Sequence, residues 1–141
     1  MIADSFYGDI LTEYFQHPLH AQELDICDTQ AQASNPSCGD NLQLQIRFDG
    51  DRIAALGYTL TGCALARASA EILATLLIGR TRSQALAILD AFTRLLQGQL
   101  QPEDTARLGD ATALKSAAAM PLRVKCVSLA WDTASLLLSN R

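Results

Sequence analysis

Along this chain the spacing of hydrophobic residues changes period twice, from helical to alternating and back to helical. Phe6, Ile10 and Tyr14, with Leu11 and Phe15, recur at helical spacing. Asp4 or Ser5 can cap the start of that helix, and His17-Pro18 ends it. Residues 19–37 show little periodicity, with a short edge strand expected at 29–33. Leu42, Leu44, Ile46 and Phe48 then alternate with Gln43, Gln45 and Arg47, the two-residue period of a half-buried strand. Asp49-Gly50 supplies a hairpin turn, and residues 53–60 return as a second strand with Leu56, Tyr58 and Leu60 on one face.

The helical period resumes after Cys63. Leu65, Ala68, Ile72 and Leu76, joined by Leu73 and Leu77, predict a helix to Ile78 that Gly79 stops. Ser83 is the expected cap of the next helix, which carries Leu86, Leu89, Phe92, Leu95 and Leu96 and closes at Gly98. Residues 99–113 read as a polar connector or a short amphipathic turn. Pro121 precedes a last helix whose stripe is Val127, Ala130, Trp131, Ala134, Leu137 and Leu138, so Trp131 is expected in the core. Helix, strands, then helices reads as α+β: a small antiparallel sheet with helices packed on one face. No repeat, low-complexity tract or linker divides the chain, so residues 1–141 read as a single domain.

Composition narrows the function classes. With 49% hydrophobic and 18% charged residues, the chain can fill a core and is not of disordered type. A net charge of −4, with no Lys/Arg-rich stretch, argues against nucleic acid and anionic membrane as partners. The longest apolar stretches, such as Leu76-Leu77-Ile78 and Leu136-Leu137-Leu138, are too short to span a bilayer. Asp4 and Asp9 interrupt any secretory pattern at the N-terminus, and the expected compartment is the cytoplasm. There, cysteines are read as metal-binding, reactive or buried rather than as disulfides.

Three of the four cysteines occupy chemically legible settings: Asn35-Pro36-Ser37-Cys38-Gly39-Asp40, Thr61-Gly62-Cys63-Ala64 and Arg123-Val124-Lys125-Cys126. The first is a Pro/Gly turn with a carboxylate two residues on, and the other two each open an apolar-periodic run. A thiol at a helix start faces unpaired N–H groups, which favours the thiolate. Cys38, Asp40, Cys63 and Cys126 would complete the four-ligand set that zinc prefers, assembled from distant parts of the chain. Composition alone reads the same cysteines as buried packing residues. Their positions at element boundaries, and that of Asp40, speak for the metal. Lys125 and Arg123 beside Cys126 read either as surface cations or as groups that steady an anionic sulfur. Cys27 reads as a packing thiol, and His17 and His20 as solvated residues near a helix end. Gly79-Arg80 and Gly98 are helix stops rather than phosphate loops, since no glycine-rich turn follows a strand.

At these motifs the chain resembles the NifU/IscU/SufU family of iron–sulfur cluster assembly proteins. The matching pieces are Asn-Pro-Ser-Cys-Gly-Asp at 35–40, Thr-Gly-Cys-Ala at 61–64 with Ala68-Ser69 downstream, and Arg-Val-Lys-Cys at 123–126 continuing to Leu129-Ala130-Trp131. Their order extends the resemblance over nearly the whole chain. It is similar to the SufU branch in particular. Lys125 stands where the IscU type has His, and the segment between Gly98 and Pro121, with Leu108-Gly109-Asp110, is similar to the SufU insertion. Leu60, Ala66-Arg67, His20 and Gln22 depart from the family pattern without removing a ligand.

The resemblance implies an α+β fold and a zinc site of Cys38, Asp40, Cys63 and Cys126. It also implies partnership with a cysteine desulfurase of the SUF system, with Cys38 as the acceptor of persulfide sulfur. Other cluster assembly proteins and apo-protein acceptors are further expected partners. Three readings follow: a zinc-dependent sulfur acceptor, a scaffold holding iron in a transient [2Fe–2S] cluster on the same ligands, and a purely structural zinc module. Sulfur transfer would turn over only with the partner present, since no acid–base pair or cofactor fingerprint suggests an independent enzyme.

Overall fold

The alternating segment becomes a three-stranded antiparallel sheet in the order β1-β2-β3, with β1 Thr29–Asn35, β2 Asp40–Asp49 and β3 Arg52–Thr61. The computed structural model describes residues 2–36 and 39–139, the side chains of 2–7 and 118 excepted. Leu42, Leu44, Ile46, Leu56 and Tyr58 are buried on one face of the sheet, against the helices. Between Arg47 and Phe48 the register shifts: Arg47 lies opposite Ala55, and Phe48 opposite Ile53. Ala54 is therefore an extra residue, and the bulge turns Ile53 into the core three positions before Leu56. Simple alternation does not foresee that.

Among the described residues, five α-helices and a 3₁₀ segment surround this face: α1 Ile2–Gln16, α2 Ala64–Leu77, α3 Arg82–Gln97, α4 Pro102–Leu108, the 3₁₀ helix Gly109–Ala119 and α5 Pro121–Ser139. Helix α2 packs on α1, α5 and β3, while α5 runs against β1 and β2. The residues at 99–113, expected as a connector or a short amphipathic turn, fold into α4 and the start of the 3₁₀ helix. Their apolar members are few but placed: Leu108, Ala111 and Ala113 are buried, as are Leu114 and Ala117 just beyond them. Asp104 anchors this region. It is fully buried, takes two hydrogen bonds of 2.7 Å from the Arg94 guanidinium, and accepts the Gln101 N–H at 3.0 Å. Tyr14 ties α1 to the same segment through a 2.7 Å hydrogen bond to Asp110 Oδ2.

Helix α3 starts two residues earlier than expected. Thr81, not Ser83, is its cap: Thr81 Oγ1 accepts the Gln84 N–H, and the Gln84 side chain accepts the Thr81 N–H. Pro121 is the first residue of α5 rather than its predecessor, a position suited to a residue without N–H.

The opposite face of the sheet is polar, and the segment between α1 and β1 straps across it. The His20 carbonyl accepts the Tyr58 N–H at the β3 edge, Leu24 N–H reaches Gln45 Oε1 at 2.7 Å, and Asp28 N–H reaches the Ile46 carbonyl. Gly57 makes room for it, since a Cβ there would collide with the Gln22 carbonyl and Leu24. His20, expected in solvent, instead binds a carboxylate beneath the sheet. Its Nδ1 lies 2.6 Å from Glu71 Oε2, and its N–H donates to Glu71 Oε1. Tyr58 Oη donates to the same oxygen at 2.8 Å, and burial together with that bond pushes the Tyr58 phenol up. Among the described residues no helix is long and apolar enough to cross a membrane.

Candidate metal centre

Donor atoms of Asp40, Cys63 and Cys126 lie within 4.8 Å of one another where β2 begins and α2 and α5 meet. Three of the four expected ligands thus converge. The fourth, Cys38, lies outside the described residues. The Asn35 carbonyl accepts the Gly39 N–H at 2.9 Å.

Each ligand is fixed by a different local device. Cys63 is the N-cap of α2, in extended conformation, with its Sγ accepting the Ala66 N–H at 3.4 Å. A helix start aims backbone donors at this sulfur, as the sequence suggests. Cys126 differs from expectation. It lies inside α5, more than a turn from its start at Pro121, and is 6% exposed. The helix-start argument does not apply to it; the packing of α5 on α2 brings its sulfur inward. That packing has a polar pin: Ser69 Oγ donates to the Val127 carbonyl at 2.6 Å and accepts the Trp131 indole N–H at 2.9 Å. Trp131 is in the core, as expected, and stacks on Phe92 with ring centroids 3.9 Å apart.

Asp40 carries the clearest sign that a cation suits this site. Its carboxylate is fully buried. Oδ1 accepts the Cys63 N–H at 3.0 Å, while Oδ2 has no hydrogen-bond partner among the described residues. A buried carboxylate oxygen left unpaired costs roughly 1–3 kcal/mol or more, and a cation would remove that cost. Gly62 is part of this arrangement, because a Cβ there would collide with Asp40 Oδ1. Tetrahedral zinc with ordinary ligand lengths separates its donors by roughly 3.3–3.8 Å. Two sulfurs and one carboxylate oxygen inside 4.8 Å fit that requirement.

Arg123 and Lys125 are both exposed on α5. Arg123 precedes Cys126 by three residues, one turn along the same side of the helix. Lys125 lines a concavity of about 450 Å³ with Ser34, Asn35, Pro36, Ser128, Leu129 and Asp132. Burial pushes the Asp132 carboxyl up from its ordinary value, against the pull of the Ser128 hydroxyl. Cys27, half-buried in the strap, is not a member of the cluster. Sequence reasoning missed Asn35, Gly62 and Glu71 as individual residues. For Glu71 a signal existed: it is the only charged residue in the mostly apolar run from Ala68 to Leu77.

Comparison with known proteins matches residues 6–127 to the family described as NifU-like N-terminal domain. The iron–sulfur cluster assembly scaffold protein IscU of Streptococcus pyogenes serotype M1 is 34% identical over 126 residues, 89% of this chain and 78% of that protein. The zinc-dependent sulfurtransferase SufU of Bacillus subtilis is 28% identical over 91% of this chain and 86% of its own length. Among solved structures, FiSufU of Fervidobacterium islandicum AW-1, a candidate iron–sulfur cluster assembly scaffold protein for the SUF system, superposes with a TM-score of 0.86. Its identity is 27%, over 92% of this chain and 94% of that one. The three-stranded sheet and its helices agree with that structure in architecture.

Proposed function

This chain belongs to the family of NifU-like N-terminal domains, and from that premise we propose that it is a cytoplasmic iron–sulfur cluster assembly protein of the SUF system. In this reading it accepts persulfide sulfur from a cysteine desulfurase, and it does so as a zinc protein. The observation that carries the reading is the cluster of Asp40, Cys63 and Cys126, with one buried oxygen of Asp40 unpaired. Cys38 is the expected fourth ligand. Zinc bound there would hold the thiols deprotonated and protected, through three soft sulfurs and one harder, more exchangeable oxygen.

The chain's own residues supply the rest. The Cys38 thiolate is the nucleophile that attacks the outer sulfur of the partner's persulfide. A new S–S bond forms on Cys38, the partner's S–S bond breaks, and the electron pair leaves on the partner's thiolate, so no external oxidant or reductant is needed. Asp40 is held ready by the Cys63 N–H, which anchors Oδ1 whatever Oδ2 is doing. Lys125 and Arg123, exposed on the α5 surface next to Cys126, provide positive charge for the anionic sulfur.

The second reading is a scaffold that carries a transient [2Fe–2S] cluster, as cargo, to apo-proteins. The Streptococcus relative bears that name. Against it stands Lys125, which as an ammonium offers no lone pair where the scaffold type has His. Elemental analysis of protein purified without added metal, with an absorption spectrum, separates the two. The sulfur-acceptor reading expects about one zinc per chain and no visible colour. Brown protein with equimolar iron and sulfide would favour the scaffold, and metal-free protein with inert thiols would remove both.

A further inference from the structure

Ile26 is 71% exposed, yet the chain holds it in place on both sides. Before it, Leu24 N–H donates to Gln45 Oε1 at 2.7 Å. After it, Asp28 N–H donates to the Ile46 carbonyl at 2.8 Å, and Asp28 Oδ2 accepts the Phe48 N–H at 2.7 Å. An aliphatic side chain kept in water forgoes the gain of burial, and a fixed mount lowers the ordering cost of docking it. Glu23 and Asp25, both exposed, precede it in the strap. Among the described residues neither forms an ion pair. The strap thus presents an apolar knob beside two carboxylates.

The complement lies on the helical side. A concavity of about 500 Å³ opens between α3 and α4, where Ala87, Ile88 and Ala106 offer apolar surface and Arg80 and Arg107 offer two guanidiniums. Alanines at 87 and 106 leave an opening that longer side chains would fill. Asp104 is committed to Arg94 through two 2.7 Å hydrogen bonds, whereas Arg107 stands 3.5 Å from it and keeps 45% of its side chain exposed. Arg80 spends only its Nε, on the Leu76 carbonyl. An occupant that suits this concavity carries an aliphatic side chain with carboxylates beside it. Ile26 does not line it within its own chain.

Knob and concavity lie toward the same end of the molecule. Asp28 joins the sheet beside Ile46 and Phe48, close to the β2–β3 turn, and α3 is tied to that turn by the Arg82 N–H on the Asp51 carbonyl at 2.9 Å. The metal centre lies at the other end of β2, about 30 Å away along the strand. We propose that this end is a self-association surface, on which Ile26 of one copy enters the Arg80–Arg107 concavity of a second copy and Asp25 and Glu23 meet its guanidiniums. Each copy carries both halves, so two copies related by a two-fold axis make the contact twice and close as a dimer. A contact of this size gives a weak, reversible dimer. Its charges are exposed, so salt loosens it. Both metal centres stay clear of the contact.

Sedimentation equilibrium of the full-length chain at low and high salt is the test. The wild type is expected to dimerise with concentration at low salt and less so at high salt. Ile26→Asp is expected to weaken the dimer by roughly tenfold or more. Leu19→Asp makes the same change at another exposed apolar residue, 76% exposed, and is expected to leave the dimer as it is. Charge reversal gives the sharper reading. Asp25→Arg alone and Arg107→Glu alone each set like charges against one another and should stay monomeric. Mixed together they place opposite charges in both contacts and should re-form the dimer. Circular dichroism checks the fold of each variant, with Arg80→Glu replacing Arg107→Glu if the latter does not fold. Three results would each overturn the inference: a wild type still monomeric at about 1 mM in low salt, a dimer indifferent to Ile26→Asp, or a mixture of folded charge variants that does not associate.

Discussion

The Asp40 carboxylate holds the Cys63 backbone with one oxygen and keeps the other buried: Oδ1 accepts the Cys63 N–H at 3.0 Å, and Oδ2 has no hydrogen-bond partner among the described residues. One hydrogen bond thereby fixes a proposed ligand on the sheet to a proposed ligand at a helix start, 23 residues apart in sequence. The clearance for that contact comes from Gly62, where any side chain would strike Oδ1.

Gly62→Ala is therefore expected to uncouple the two ligands without touching either. Relieving the clash must displace Asp40 or the start of α2, at about 1–3 kcal/mol of stability. Zinc content by elemental analysis should fall well below one per chain, while circular dichroism still reports the fold. Full zinc retention in this variant would mean that the observed Asp40 position is not the one used for metal.

Substitutions of the sulfurs separate metal loss from capping loss. Cys63→Ala removes the acceptor for the Ala66 N–H as well as a ligand, whereas Cys63→Ser keeps an acceptor at the cap. Both should lose zinc, as should Cys126→Ala, and all three should melt at lower temperature because metal binding stabilises the folded state. Cys63→Ser should melt above Cys63→Ala when both are metal-free. Cys27→Ala should match the wild type in zinc content, measured in the same series.

How much of this was legible beforehand differs by element. The strand alternation from Leu42 to Phe48 and the α5 stripe through Trp131 follow directly from period. The fold class needed nothing more. The bulge at Ala54 was not legible, since an inserted residue breaks the period without leaving a special residue type. Thr81 and Ser83 are both good caps, and only the reciprocal bond with Gln84 distinguishes them. The segment after Gly98 looked like a connector because its buried residues are mostly alanines, too small to mark a face. Asp40, Cys63 and Cys126 were visible as residue types in turn and helix-start settings. The place of Cys126 inside α5 depends on α2 and α5 packing, which local sequence does not carry.

The pin between those helices makes its own prediction. Ser69→Ala leaves the Trp131 indole N–H without its acceptor in a buried setting, at a cost of about 1–3 kcal/mol. Chemical denaturation should show that loss, and zinc should exchange faster to a chelator because Cys126 shares the helix that Ser69 holds.

Acid sensitivity should trace to Asp104. The Arg94 guanidinium holds its carboxyl down from 3.8 to about 2. The folded state therefore favours the ionised form: this contribution is complete above about pH 4 and is lost as pH falls toward 2. In denaturant unfolding from pH 6 to 2, the wild type should exceed Asp104→Asn by a constant margin down to about pH 4, and the margin should then shrink. A margin independent of pH over that range would show that the charge of Asp104 does not contribute.

The most direct test of the account follows sulfur. The zinc-loaded chain is mixed with its cognate cysteine desulfurase and cysteine carrying labelled sulfur, and both alanine release and the position of the label are measured. The account predicts faster alanine release in the presence of this chain, with label on Cys38 before any other residue. Asp40→Ala should reduce the stimulation, and Cys38→Ala should abolish it. Full stimulation by Cys38→Ala, or cluster transfer to an apo-ferredoxin without any stimulation of the desulfurase, would contradict the sulfur-acceptor role.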